Sequence, residues 1–362
     1  MSGGAGERLL PHLRRAARIA WRGHGGAEPN PMVGCVVLDA GGRFVAEGYH
    51  RRCGGPHAEV EALARAGDRA RGGTAIVTLE PCNHHGRTGP CSQALLRAGV
   101  ARVAYACADP NPAAAGGAAA LQAAGVEVIH LPCPEAADVT EPFLRRVRTG
   151  RPWTIVKYAQ SSDFRIAGRP GDPRWISSEA SRRMVHRERG RVDAVLTGMG
   201  TVLADDPLLT VRGVRARRAP LRAVWDPRMG IGDDRALVRT AREHRTIVGC
   251  THAAHAGSPA RVAALQAQGV RLLPCGDVAG FLAALGALGC ATVLVEAGPG
   301  LVRELADARL VDDLWVFTAP HAIGDAGPRT LAPFGESQLA AMRRLWNGMR
   351  GGDRVELYRM PV

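Results

Sequence analysis

The sequence predicts two successive α/β domains. Three observations carry that prediction: a length of 362 residues, against roughly 100–200 for one ordinary domain; strand-like apolar runs alternating with helical patterns in both halves; and a break in that rhythm near Pro152. Hydrophobic residues make up 46% of the chain and charged residues 22%, the balance of a globular protein and not of a disordered one.

In the first half a helix is expected over 7–22, followed by strands at 33–38 and 43–49 with Gly41-Gly42 as the hairpin turn between them. Helical stretches at 57–66 and 91–98 alternate with strands at 74–79 and 101–106, and a further helix and strand occupy 113–131. The segment 141–151 is basic and mostly polar and ends in Gly150 and Arg151 just before Pro152. It reads as a helix running into a linker, which gives domains at 1–148 and 149–362. The second half resumes with a strand at 153–159, a helix at 178–189 and a strand at 192–197. Strand-like runs at 221–225, 245–249, 270–274, 291–295 and 313–318 then interleave with helices near 258–268, 277–288 and 300–308.

The formal charge of +13 would ordinarily point to nucleic acid or an anionic membrane. Yet Lys157 is the only lysine among 47 basic residues, and the chain is crowded with Ala, Gly and Pro, so much of the charge reads as codon bias. Phosphorylated substrates and cofactors also call for arginine. With 6 Trp, 4 Tyr and 6 Phe the chain is poor in the aromatic platforms that stack unpaired bases, so no nucleic-acid partner is expected. No charged leader with an apolar run opens the chain and no stretch approaches the ~18 apolar residues of a membrane span, so a cytoplasmic location with no membrane partner is expected. Nine cysteines, an odd number without an export signal, argue against a disulfide framework and leave some thiols as metal ligands.

The informative segment is Pro56-His57-Ala58-Glu59, followed after a strand by Leu79-Glu80-Pro81-Cys82 and, nine positions on, Cys91. One imidazole and two thiolates make three protein ligands, the count of a catalytic zinc that keeps its fourth position for water; a structural zinc is more often closed by four. Deamination also needs a carboxyl group beside the metal and not bound to it, to protonate the ring nitrogen and then the departing amine, and Glu59 is the candidate. On an ideal helix Glu59 and His57 lie about 200° apart, so spacing alone leaves their convergence open.

His-x-Glu followed by Pro-Cys is the signature of zinc deaminases. The longer insert Cys82-Asn83-His84-His85-Gly86-Arg87-Thr88-Gly89-Pro90-Cys91 closely resembles the riboflavin-biosynthesis bifunctional deaminase-reductase family, as do Pro29-Asn30-Pro31-Met32-Val33-Gly34 and Asp109-Pro110-Asn111-Pro112. The resemblance spans nearly the whole chain. It implies a cytidine-deaminase-like three-layer domain with Zn2+ on His57, Cys82 and Cys91, and Asn30, His50 and Arg87 holding the ring and phosphoribosyl group. His84 and His85 would shape the pocket, and the other cysteines read as small core residues.

The second half resembles the reductase part of the same family, a dihydrofolate-reductase-like α/β domain, through 178–189, the run Thr201-Val202-Leu203-Ala204-Asp205-Asp206-Pro207-Leu208-Leu209-Thr210-Val211-Arg212, and Glu296-Ala297-Gly298-Pro299-Gly300. The resemblance implies NADPH lined by Ala159, Trp175, Thr201, Asp205, Gly298, Pro299 and Gly300, with Arg189, Leu209, Arg212 and Glu296 meeting the substrate. Amides at the helix start after Gly298 can bind phosphate without side-chain charge. Asp205 and Asp206 have a plainer reading as a turn or cap pair. Lys157, beside the expected cofactor strand, is expected to touch the ribose or phosphate of the substrate, where a compact ammonium is needed.

One departure stands out. Where the family reads Ser-x-Asp-Gly-Lys/Arg this chain has Ser161-Ser162-Asp163-Phe164-Arg165, and phenylalanine lacks glycine's backbone freedom, so a reshaped or silent reductase site is an open expectation. The segment 168–175 is also richer in proline than the family's usual run. The resemblance thus implies two riboflavin-pathway steps on a small phosphoribosyl pyrimidine: deamination of 2,5-diamino-6-(5-phosphoribosylamino)pyrimidin-4-one, then NADPH-dependent reduction of ribosyl to ribityl. A homo-oligomer, dimer or tetramer, is expected. The competing readings are a deaminase with a silent reductase-like domain, a nucleic-acid base deaminase and a non-catalytic zinc module.

Overall fold

A computed structural model describes residues 3–85, 89–112, 114–166, 175–324, 334 and 336–360. The chain divides after Gly150 into two compact units.

The first unit carries α1 (Gly3–Ala20), β1 (Gly34–Leu38), β2 (Phe44–Tyr49), α2 (Ala58–Ala66), β3 (Thr74–Leu79), α3 (Cys91–Ala98), β4 (Arg102–Cys107), α4 (Gly117–Ala123), β5 (Glu127–His130) and α5 (Pro134–Thr149). The strands form one sheet in the order β2-β1-β3-β4-β5. β1 runs antiparallel to both neighbours, while β3, β4 and β5 are parallel. Side chains alternate across the pleat, so Cys35 and Val37 pack with Ala58, Ala62 and Leu95 on one face while Val36 and Ile76 pack with Leu13 and Ala16 on the other. The result is three layers, with β1 and β3 buried along their whole length. The helix expected only from 141 begins at Pro134, because proline suits a first helical position, and it carries a second proline, Pro142, inside.

The second unit has a nine-stranded sheet, β10-β9-β8-β7-β11-β6-β12-β14-β13. In chain order its elements are β6 (Trp153–Gln160), α6 (Glu179–Arg189), β7 (Ala194–Gly198), α7 (Met199–Asp205), β8 (Leu221–Trp225), α8 (Ala236–Arg239), β9 (Thr246–Thr251), α9 (His252–Ala256) and α10 (Pro259–Ala267). There follow β10 (Val270–Cys275), α11 (Val278–Ala287), β11 (Thr292–Val295), α12 (Pro299–Asp307), β12 (Asp313–Thr318), α13 (Glu336–Ala340), β13 (Arg343–Arg350) and β14 (Asp353–Arg359). Strands β6 to β12 pair in parallel and the last two add an antiparallel hairpin. One face packs Phe281, Leu285, Val302 and Leu305 over Val156, Leu196 and Val293; the other packs Val185, Val202, Leu237 and Leu265 over Ile155, Val195 and Leu294. Elements beyond the sequence expectations are α7, the short α8, α9 and α13, and the β13–β14 hairpin, whose turn is Gly351-Gly352.

One close approach in the first unit bears on the site. A Cβ on Gly117, the first residue of α4, would collide with the carbonyl oxygen of Pro81, the residue before Cys82. Gly117→Ala is therefore expected to destabilise the protein by about 1–3 kcal/mol, as overpacking does. It should also lower metal occupancy by displacing the Cys82 turn. A thermal melt together with metal analysis checks both, and an unchanged melting temperature would mean that the loop yields freely.

Candidate functional site

Two cavities occupy the two units. The smaller, ≈ 160 Å³, is lined by Asn30, His50, His57, Glu59, Glu80, Cys82, His84 and Asp109 among others. His57 is the N-cap of α2 and Cys91 the first residue of α3, so two helix N-termini meet at the site and their exposed amides favour negative charge on the sulfurs. The ligand atoms of His57, Cys82 and Cys91 lie within 4.8 Å of one another, and this is the one such group of metal-ligating side chains among the described residues. His57 Nδ1 stands 3.2 Å from the Cys91 sulfur and 3.5 Å from that of Cys82. Tetrahedral zinc with ordinary bond lengths needs ligand separations of about 3.5–3.8 Å, so the donor set and its geometry fit zinc. The backbone N–H of Cys91 donates to the Cys82 sulfur at 3.4 Å. Hydrogen bonding from Cys91, helped by His57, pulls the Cys82 thiol down to about 4 against its burial, and the same pairing pushes Cys91 up.

Glu59 is 3% exposed, and burial, with the nearby Cys82, pushes its carboxyl above the usual range against the pull of His57. The convergence that spacing left open arises because His57 is still extended backbone, with φ −73° and ψ 164°, so the helical 200° offset does not apply between the two residues. Asn30 Nδ2 donates to His50 Nε2 at 3.2 Å, which leaves Nδ1 of His50 to donate to the carbonyl of Pro56 at 2.9 Å. Burial depresses the His50 pKa, so the ring is neutral. Arg87 lies outside the described residues.

Glu80 is a residue the sequence analysis quoted without a role. Its carboxylate accepts backbone N–H groups from Asp109, Gly116 and Ala118 at 3.1–3.3 Å, clamping the loop that carries Asp109 and Asn111 against the metal turn. An acid between a strand and a thiolate ligand was the available signal.

The larger cavity, ≈ 800 Å³, is lined by Lys157, Ala159, Trp175, Thr201, Asp205, Leu209, Arg189, Arg212, Glu296 and Gly298, so ten of the residues singled out in the second half meet there. Lys157 and Ala159 come from β6, Arg189 from the end of α6, Thr201 and Asp205 from α7, which follows β7, and Glu296 and Gly298 from the turn after β11. The cavity thus lies beside the carboxyl ends of β7 and β11, where parallel sheets place their ligands. Pro299 and Gly300 do not line it among the described residues. The Gly298 amide donates to Thr201 Oγ1 at 3.0 Å and Pro299 has no N–H, which corrects the expectation of an open amide cradle there; only amides from Gly300 onward remain at the start of α12. Leu209 lines the cavity but is only 2% exposed, its side chain packed in the core. Asp206 takes the cap role, with its carboxylate accepting the Ala236 N–H at 2.7 Å.

Arg189 and Glu296 form a two-pronged ion pair at 2.5 and 3.0 Å, and Arg189 also donates to the Thr210 carbonyl at 2.9 Å. The Glu296 backbone is pinned between Leu196 and the hydroxyl of Thr197. Burial lowers the Lys157 pKa against the pull of Glu296. Trp175 is 52% exposed with the Arg182 guanidinium 5.0 Å from its ring centre, leaving an aromatic face at the cavity. Phe164 adopts φ 62°, the left-handed conformation that glycine takes without strain. The phenylalanine thus sits in a backbone conformation that favours glycine. Asp163, whose carboxylate accepts the N–H groups of Ile323 and Gly324, anchors the loop. The segment 167–174 lies outside the described residues.

A three-layer domain with a zinc-type His, two Cys and a buried Glu, joined to a parallel-sheet domain with a large polar cavity, defines a deaminase fused to a nucleotide-dependent reductase. Comparison with known proteins agrees in both halves: residues 7–107 match the cytidine and deoxycytidylate deaminase zinc-binding region, and residues 152–347 match the RibD C-terminal domain. The chain is 41% identical over 331 residues to the riboflavin biosynthesis protein RibD of Escherichia coli, covering 86% of this chain and 88% of that protein. It is 42% identical over 308 residues to RibD of Mycobacterium tuberculosis, covering 83% and 81%. The solved structure of Acinetobacter baumannii RibD superposes with a TM-score of 0.82 at 32% identity, over 99% of this chain and 100% of that one. A Thermotoga maritima structure described as a diaminohydroxyphosphoribosylaminopyrimidine deaminase/5-amino-6-(5-phosphoribosylamino)uracil reductase superposes at 0.81 with 30% identity, over 99% and 100%. The chain belongs to the RibD family of riboflavin biosynthesis, whose members join a zinc-dependent deaminase to an NADPH-using reductase. It is a bifunctional enzyme, a finding that favours the deaminase-reductase reading over a nucleic-acid base deaminase, a silent reductase and a bare zinc module. No helix among the described residues is long and apolar enough to cross a membrane.

Proposed function

We propose that the chain carries out both steps named for its Thermotoga relative: hydrolytic deamination of 2,5-diamino-6-(5-phosphoribosylamino)pyrimidin-4-one, then reduction of the ribosyl group of the product to ribityl. The observation that carries the reading is the meeting of His57, Cys82 and Cys91 in one metal-type cluster at the cavity that Glu59 lines, and of Lys157, Arg189, Glu296 and Thr201 in the other cavity.

In the first cavity His57, Cys82 and Cys91 would hold the zinc, which when bound supplies Lewis acidity and an acidified water. Glu59 moves the proton, giving it to the ring nitrogen and later to the departing amine. Asn30 and His50, already joined, present a neutral polar edge to the pyrimidine, and Arg87 takes the phosphate bidentately. In the second cavity Ala159, Trp175, Thr201, Asp205 and Gly298 would hold NADPH, with Pro299 and Gly300 at the adjoining helix start; the cofactor supplies the hydride. Arg189, Leu209, Arg212 and Glu296 would meet the substrate, and Lys157 would touch its ribose or phosphate. Domain limits at 1–148 and 149–362, a cytoplasmic location and a homo-oligomer belong to the same reading, and light scattering on the purified chain tests the last.

Mass analysis of the product of the diamino substrate, with and without NADPH, tests the whole. Exchange of one amino group for oxygen is expected in both cases, and two added hydrogens only with NADPH. A product unchanged by NADPH would overturn the assignment of the second cavity.

A further inference from the structure

His186 lines the larger cavity and has no part in the reading above. It lies on α6 one turn before Arg189, so the two share a helix face. Its Nδ1 accepts the backbone N–H of Arg212 at 3.1 Å, while Arg189 binds the carbonyl of Thr210 at 2.9 Å. Together they tie the backbone of 210–212 to α6 from both its donor and its acceptor side.

That backbone needs tying. Asp206 and Leu209, both non-glycine, sit at φ 42° and 53°, and such conformations persist only where surrounding contacts over-determine them. Asp206 is held by its bond to Ala236 and Leu209 by its buried side chain. The end at Arg212 depends on His186. Burial first, then Arg189 and Arg212, hold the imidazole pKa down to about 4 against the opposing charge of Glu296, so Nδ1 keeps its lone pair as an acceptor at neutral pH. Lysine or arginine could not accept this N–H, and either would add a charge beside two guanidinium groups.

We propose that His186 is a positioning residue of the reductase site, a neutral acceptor that fixes the Arg212 backbone and thereby the cavity wall that meets the phosphorylated substrate. The proposal rests on reading the larger cavity as the reductase site. It assigns no chemistry to His186, which acts through Arg212.

The test uses the full-length enzyme and the variants His186→Leu, His186→Ala and His186→Gln, the last of which restores an acceptor oxygen. Leucine and alanine are expected to raise KM for the deaminated phosphoribosyl intermediate about tenfold, the weight of one hydrogen bond, with glutamine recovering most of it. KM for NADPH and the deaminase rate should stay within about twofold of wild type, which reports that the chain is folded. Independently of turnover, hydrogen exchange at the Arg212 amide of the unliganded protein should quicken by about tenfold or more in His186→Leu and return in His186→Gln. An unchanged KM for the intermediate, unchanged exchange at Arg212, or a glutamine variant no better than leucine would overturn the proposal. A wild-type enzyme that oxidises no NADPH with the intermediate would instead overturn the reading of the cavity, and this proposal with it.

Discussion

Glu59→Gln is expected to lower the deamination rate by about 10²–10⁴-fold, the usual weight of a positioned acid-base group. Glutamine keeps the size and much of the hydrogen bonding of a side chain that is 3% exposed, so the fold of α2 should survive. It cannot take up and release a proton. Because Glu59 is not one of the three side chains whose ligand atoms cluster for zinc, metal content should not change. NADPH oxidation with the deaminated intermediate should also persist, since that cavity is built wholly from the second unit. Ammonia release, zinc analysis and NADPH absorbance on one preparation separate the outcomes. Deamination at wild-type rate would remove Glu59 from the chemistry, and loss of zinc would make it a ligand.

The second large effect concerns stability. Arg189→Leu should cost about 3 kcal/mol, the lower end for breaking a buried ion pair, and should abolish most reductase activity. The two side chains are 11% and 15% exposed, so solvent can do little to compensate Glu296 once its partner is gone. Lys157 also pulls on Glu296, and for that reason the lower end is expected. Burial raises the Glu296 pKa, but Arg189, together with Lys157 and His186, more than offsets it and the net shift is downward. The pair's contribution is therefore present above the ordinary glutamate range and is lost as pH falls through the lowered value. Denaturant unfolding at neutral and acid pH reads both. A midpoint unmoved at neutral pH would mean that the pair is worth no more than one on the surface.

The metal site was legible because few side chains bind zinc. His57, Cys82 and Cys91 had to be donors of the right softness in the right order, and a spacing in sequence survives whatever the loops between them do. The alternating strands and helices of the first unit were legible for a related reason: Val36 and Val37 must face opposite layers, and that periodicity is written locally. The β13–β14 hairpin was not read, although Gly351-Gly352 marks its turn. Its outer strand is arginine-rich and exposed along much of its length, so no apolar alternation announces it. The short helix α7 escaped because its Met-Gly-Thr start lacks a capping side chain.

The sequence by itself determined the metal donors and the alternation of strands and helices, since these depend on chemical type and local period, while Glu59 and the residues of the second cavity were read through the family resemblance. Only the tertiary structure decided that the Gly298 amide is spent on Thr201, that the Leu209 side chain is packed in the core, that Phe164 takes a left-handed conformation, and that Glu80 and His186 bond the loops beside them. Those assignments turn on which partner satisfies each buried polar group, and such partners lie up to about a hundred positions away in the chain.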